Sequence, residues 1–414
     1  MARQFVVGVV AVAAFMVPSL GGSIGPNSTA RAAFAKPLAP YVPTLKPNGL
    51  YVARIAGGGK GSPPLMNQGV PATKTPLGTP MSVAVDGQGN VFFGEDYVGG
   101  KPYPYCDVQE IRDGKLSTVA GRGLRSNGSG STPALRFPID ACTALTFADG
   151  RLYVAGATDV YRVNVSRGTI LRVAGRSPLV RGGSCQGGIG GPGATSACFD
   201  GINGLAVDAN GDVFIADTGN SLIREVTPNG RIHRVAGVWT GTPHGGHSGD
   251  RGPATEAVIN HPGGMAIGPD GNLYFADTWG NGRVQEIDLR TGIITTVAGG
   301  GVCRRNWLYY RYCGENGLAI HAHWSFASGV AVASNGDLFI NVSGRILRVS
   351  DSTHHIYTVA GGARYLSTEK ELHYQMGRIP ARTAVTFAGG IAIGSNGLPV
   401  FTDADYQTIR QVER

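Results

Sequence analysis

Four acidic side chains stand at matching points of a repeated pattern in this 414-residue chain: Glu95, Asp217, Asp277 and Asp403, each ending an apolar run such as Val213-Phe-Ile-Ala-Asp217. Carboxylates gathered at one mouth could hold a calcium ion or divide acid and base roles between them. A carboxylate in that position also caps the backbone amides of the following turn, which is reason enough for it without a ligand. Gly156 and Val342 occupy the position in two further copies, so the set is incomplete.

Histidine offers a second chemistry. His321 and His323 are two residues apart, which on an extended segment points both imidazoles to one side, as a metal site would need; His261 is the other candidate. The segment is variable in character, and a surface pair explains it more simply. No Gly-x-Ser-x-Gly elbow, phosphate-cradling glycine loop followed by Lys, or His-Glu-x-x-His is present.

The third group is aromatic and basic. Trp239, Trp279, Trp307 and Trp324 are all the tryptophans of the chain, and Cys303 and Cys313 bracket Arg304, Arg305, Asn306, Trp307, Leu308, Tyr309, Tyr310, Arg311 and Tyr312. Large aromatics with arginine form the centre of many interfaces. A nine-residue loop closed by a disulfide can bury little of its own side-chain surface, which favours a binding role for Trp307. Trp279 and Trp324 admit a packing role equally well.

The elements that must position these groups come from a repeat. A hydrophobic residue, Ala and Gly recur at Ile55-Gly57, Val119-Gly121, Val173-Gly175, Val235-Gly237, Val297-Gly299 and Val359-Gly361, at intervals of 64, 54, 62, 62 and 62 residues. Within each period, short apolar runs alternate with Asn-Gly or Asp-Gly turns, as in Gly204-Leu-Ala-Val-Asp208 and Asp212-Val-Phe-Ile-Ala216. Four such strands make one blade, so the expected fold is an all-β, six-bladed β-propeller of four-stranded antiparallel blades. The sixth unit lacks its outer strand, and Leu50 to Gly57 carries the outer-strand pattern, so the N-terminal strand should complete the last blade and close the ring.

The stretch Gly245-Gly-His-Ser-Gly-Asp-Arg-Gly-Pro-Ala-Thr-Glu-Ala257, followed by His261-Pro-Gly-Gly264 and Ala276-Asp277-Thr278, resembles the NHL-repeat family in the form found in bacterial secreted proteins and teneurins. Partial copies recur at Gly191 to Ala197, Pro71 to Thr73 and Ile379 to Ala384. The resemblance covers about residues 49 to 414. It implies the propeller fold and a structural Asp at the end of the second strand, and says little of activity, because function is grafted onto folds. Propellers of similar form include peptidyl-hydroxyglycine and streptogramin lyases that use a metal or a His near the axis. Here the residues opening the inner strands are Met81, Thr143, Asn203, Gly263, Ser328 and Gly389, and none is a strong zinc ligand or a general base.

With 65 Gly, 24 Pro and 15% charged residues the chain is turn-rich and sheet-forming. Residues 1–32 read as a signal peptide: Arg3, an apolar run from Phe5 to Val17 that is short for a membrane span, and Ala30-Arg-Ala32 as cleavage site. Residues 33–48, with four prolines, read as a linker, and 49–414 as the propeller. Loss of Arg3 and Arg31 lowers the net charge from +8 to +6, too little over so large a domain to suggest nucleic acid. Six cysteines in an exported chain suggest disulfides, and propeller geometry selects Cys106 with Cys142, Cys185 with Cys198, and Cys303 with Cys313. A zinc site is disfavoured, since no spacing is Cys-x-x-Cys and no His adjoins.

These readings lead to an exported binding module for a protein or polysaccharide at the cell surface, with no cofactor. Its ligand would rest on a rim of Trp239, Trp279, Arg304, Arg305, Trp307, Tyr309, Tyr310, Arg311 and Tyr312. The alternative is a metal-assisted lyase or hydrolase, using calcium or zinc, the carboxylates and His261 or His321 and His323.

Overall fold

The computed structural model describes residues 50–414 apart from 62, 64–66, 97–105, 122–131, 177–192, 240–245, 281, 304–311, 343, 362–377 and 381–388. All of them belong to the unit Gly49–Arg414. Six antiparallel sheets follow one another, and their innermost strands touch in a closed cycle. Blade 1 runs Thr79–Val85, Val91–Asp96, Cys106–Arg112 and Lys115–Gly121. Blade 2 is Ala144–Ala148, Arg151–Ala155, Val160–Asn164 and Thr169–Ala174. Blade 3 is Ile202–Val207, Val213–Asp217, Leu222–Val226 and Ile232–Ala236. Blade 4 is Pro262–Ile267, Leu273–Asp277, Arg283–Asp288 and Ile293–Gly299. Blade 5 is Ala327–Val332, Leu338–Val342, Arg345–Val349 and Ile356–Gly361. Blade 6 is Ile391–Ile393, Pro399–Asp403 and Thr408–Glu413, and Tyr51–Gly57 supplies its outer strand, with Val52 opposite Val412. The ring closes as the sequence implied.

The recurrent Ala-Gly unit now has a physical cause. In every blade the register between third and fourth strands slips by one residue just ahead of it, a β-bulge. The alanines, Ala56, Ala120, Ala174, Ala236, Ala298 and Ala360, are fully buried, and the glycines after them all have φ between +82° and +103°. A Cβ at any of these glycines would strike a backbone carbonyl of the third strand or of the residues just before it.

Apolar packing is distributed over six clusters, one in each seam between neighbouring blades. Each blade is therefore covered on both faces, and second strands such as Val213–Asp217 are buried at every residue instead of alternating. Around the axis the inner strands approach so closely that a Cβ at Gly204, Gly264 or Gly390 would collide with the backbone of the next blade. What remains there is a cavity of about 60 Å³, lined by residues that include Thr143, Asn203, Ser328 and Gly389.

The linkers between blades do not simply stand on the rim. Their described parts run along the outer strand of the blade they enter, as Gln68–Pro71 does beside Lys115–Gly121 and Thr132–Pro133 beside Thr169–Ala174. Among the described residues, five of them then make a 3-10 turn at the Pro-Ala-Thr position, with Ala72, Ala134, Ala194, Ala254 and Ala319 at most 2% exposed. The N–H of each alanine donates to a carbonyl in the outer hairpin, from Ala72 to Gly114 (2.9 Å) through Ala319 to His354 (2.8 Å). The family pattern is thus a staple that fixes the linker, which explains its repetition without any ligand.

Candidate functional site

Inner-strand starts, the turns between second and third strands, and fourth-strand ends all fall on one rim, because the strands alternate in direction. The acidic positions lie beneath this rim and are engaged inward. Glu95 accepts hydrogen bonds from the Gly78 N–H (2.7 Å) and Gln109 Nε2 (2.8 Å) and is 4% exposed. Asp217, fully buried, accepts from the Asp200 N–H (2.9 Å) and from Asn220, and pairs with Arg224 Nη2 at 2.8 Å. Asp277 accepts from the Asn260 N–H (2.7 Å), and Asp403 from Arg410 Nε (2.9 Å). In three blades the amide bonded is the one 17 residues earlier, so the carboxylate caps the backbone entering the inner strand.

The third-strand residue that pairs with the position two before the acid supports this role. Where the second strand ends in an acid it is polar, Gln109, Arg224, Gln285 or Arg410. Where the acid is replaced by Gly156 or Val342 it is Tyr161 or Leu347. Acid and partner therefore change together within one chain, as a buried pair must, since either alone is costly. Blade 2 has a further substitution: Asp140 fills the space that a side chain at Gly156 would take, and its Oδ1 accepts from the Ala157 N–H (3.3 Å).

The seam between blades 4 and 5 differs in kind. Trp324 is the largest fully buried side chain, held against Gly282 and Gly299, so it is core. Trp279, in the rim turn of blade 4, is 62% exposed. Its setting is nonetheless fixed. The Trp279 N–H donates to Asn260 O (3.3 Å), Asn260 Nδ2 donates back to Trp279 O, and the indole lies 5.0 Å from the His261 ring at a tilt of 45°. His261 Nδ1 is 2.6 Å from Asn260 Oδ1, and His261 itself has φ +50°, uncommon for a residue with a side chain. Phe326, entering the inner strand of blade 5, is 44% exposed, and Val302, just past the outer strand of blade 4, is 83% exposed. The backbone joins these points, with Gly301 N–H bonded to Ala322 O (2.9 Å) and Gly282 packed on Trp324.

Other residues proposed from sequence divide. Trp239 is half-buried. Tyr312 is also half-buried; its ring packs on the blade 5 core and lies 5.4 Å beneath the Arg345 guanidinium. Arg304, Arg305, Trp307, Tyr309, Tyr310 and Arg311 lie outside the described residues. His321 is exposed in a 3-10 turn, while the His323 ring turns to the Gly301 carbonyl (Nδ1 to O, 3.0 Å), so the two do not act together. Sequence reasoning passed over His247, whose Nδ1 lies 3.7 Å from Asp277 Oδ2 and 3.5 Å from Gln285 Nε2. Among the described residues no group of three or more His, Cys, Asp or Glu is placed to hold a metal ion.

Disulfides staple the same rim. Cys106 joins Cys142 across blades 1 and 2 with Cα atoms 5.6 Å apart, and Cys303 joins Cys313 with 6.1 Å. Cys198 is disulfide-bonded too, and Cys185 lies outside the described residues.

Fold, bulged outer strands and capped inner strands define a six-bladed β-propeller. The Teneurin NHL domain model matches residues 240–414 and the NHL repeat model residues 199–225. Human teneurin-1 is 29% identical over 247 residues, which is 52% of this chain and 8% of teneurin-1, so the chain spans a small part of that relative. Among solved structures, a structural genomics protein of unknown function from Bacteroides thetaiotaomicron superposes with TM-score 0.58 at 15% identity, over 88% of this chain and 76% of that one. An auxiliary nutrient binding protein from the same organism gives 0.55 at 11%, with the same coverage, a likeness of fold alone. The chain is an NHL-repeat propeller. No helix among the described residues is long and apolar enough to cross a membrane.

Proposed function

We propose that this NHL-repeat propeller is an exported binding module, acting at the cell surface or outside the cell and holding a protein or polysaccharide on the rim of blades 4 and 5. The observation that carries the reading is Trp279, a large aromatic left 62% exposed on a turn whose backbone and ring are already fixed by Asn260 and His261. A ring held in place beforehand binds without the ordering cost that a mobile side chain incurs. Phe326 and Val302 extend the apolar surface along the same seam. The disulfides accord with an oxidising compartment, and the teneurin relatives suggest an extracellular setting. The carboxylates, by contrast, are occupied: Glu95 by Gln109, Asp217 by Arg224 and Asp403 by Arg410, while Asp277, beside His247, accepts from the Asn260 N–H, which gives the lyase or hydrolase alternative little to work with.

The test exposes the immobilised full chain to cell-wall polysaccharide and to cell-surface protein fractions, with Trp279→Ala alongside, and analyses both retained and released material. Retention by the wild type at least tenfold above Trp279→Ala, with no new fragments, is the expected result. Equal retention, or fragments appearing in the supernatant, overturns it.

A further inference from the structure

Blades 1 and 2 meet at a cluster of carboxylates that the binding rim does not use. Asp96 ends the second strand of blade 1 and pairs in register with Cys106, whose N–H donates to Ile139 O (3.0 Å); Asp140 follows directly, and Asp159 opens the third strand of blade 2. The Cys106–Cys142 disulfide lies across the same seam. Asp159 is fully buried, and its Oδ2 receives only the Tyr161 hydroxyl at 3.3 Å, while its Oδ1 has no hydrogen-bond partner. Asp96 Oδ1 is likewise buried and unpartnered. Asp140 accepts backbone N–H bonds, including that of Ala157 at 3.3 Å.

An ionised carboxylate needs several donors to leave water, whereas a protonated one needs fewer and carries no charge. Two buried carboxyls with donorless oxygens beside a third, donor-rich one are thus arranged for Asp140 to carry the charge and for the other two to hold protons. Of the charged and titratable groups facing them among the described residues, Arg172 and the Tyr161 hydroxyl favour ionisation, at Asp159, and Asp140 opposes it at both. Burial first, and Asp140 second, push Asp96 up to about 6 and Asp159 up to about 7.

We propose that the seam between blades 1 and 2 is a proton-controlled joint, closed when Asp96 and Asp159 are protonated and loosened when they ionise. Both carboxyls titrate higher in the folded chain than in the unfolded one, so the folded state holds the extra protons between about pH 4 and pH 7. Stability from this joint is therefore full only below about pH 4, declines as pH rises from there, and is gone once pH has passed through about 7. The binding rim of blades 4 and 5 is unaffected.

The experiment measures the denaturant midpoint of the oxidised full chain from pH 5 to pH 8, with Asp96→Asn/Asp159→Asn in parallel. The wild-type midpoint should fall from pH 5 through about pH 7, with uptake of up to about two protons on folding near pH 5 that dwindles above pH 7, and the neutral double variant should lose that fall. In case the variant does not fold, the infrared band of protonated carboxyl in the folded wild type is followed over the same range. A band present at pH 5 and gone by pH 8 supports the joint. A wild-type midpoint or carboxyl band that does not change across pH 6 to 7, or a double variant with the wild-type profile, overturns it.

Discussion

The two stapled sectors of the rim use opposite materials. Between blades 1 and 2 the rim is acidic and turned inward, with Glu95 and Asp107 at most 4% exposed, Asp159 fully buried, and the Cys106–Cys142 disulfide joining the two blades. Around the entry to blade 5 Trp324 is buried while Trp279, Phe326 and Val302 are exposed, and Val302 directly precedes the Cys303–Cys313 disulfide in the chain. One sector spends its chemistry on its own packing, and the other leaves hydrophobic surface in solvent that folding alone would have covered. Residue type by itself does not separate structure from function here. Exposure on a pre-fixed backbone is the ground on which binding is proposed for one sector and not for the other.

The contrast can be broken most sharply at the tryptophans. Trp324→Ala should cost about 3–5 kcal/mol in chemical denaturation, because a large core side chain leaves a cavity across the seam. A cost below about 1 kcal/mol would mean that the seam is not packed as described. Next come the staples. Replacing Cys106 and Cys142 by Ser opens a loop with sequence separation 36, worth about 4 kcal/mol by chain entropy, against about 3 kcal/mol for Cys303 and Cys313, separated by 10. Thermal unfolding of the two double variants should rank them in that order.

A buried ion pair gives the next test. Asp217→Ala strands Arg224, 3% exposed, and should destabilise by about 3–5 kcal/mol, whereas exchanging the pair for Val and Leu together should recover most of that. If the single change were harmless, Asp217 would be free for other chemistry and the structural account of the acids would fail. The smallest effect is expected at Trp279→Ala, within about 0.5 kcal/mol in stability since the ring is mostly in solvent, even as it weakens ligand retention.

Much of the fold was legible because backbone geometry writes itself into residue type. Only glycine tolerates φ near +90° behind the bulge, so Ala-Gly recurs at Gly57, Gly121, Gly175, Gly237, Gly299 and Gly361 and marks every blade. The missing sixth outer strand was equally readable from Tyr51–Gly57. The role of the Pro-Ala-Thr motif was not, since the bond it makes, as from Ala254 to Gly292, joins residues that only the folded linker brings together. His247 was overlooked for the same reason: its neighbour Asp277 is 30 residues away, and its glycine-rich surroundings suggested a free loop. The joint of Asp96, Asp140 and Asp159 left one clue in sequence, the Gly156 gap that Asp140 fills. Trp279 and Trp324 looked alike in sequence, because exposure depends on which side of the seam each backbone enters.

The most direct check on the division of the rim is hydroxyl-radical footprinting of the full chain with and without the cell-surface fraction it retains. Protection confined to Trp279, Phe326 and Val302, with Leu135 of blade 2 and Tyr51 of blade 6 labelled equally in both states, is the predicted result. Full labelling of Trp279 and Phe326 in the presence of retained ligand, with protection elsewhere on the ring, would contradict the assignment of recognition to blades 4 and 5.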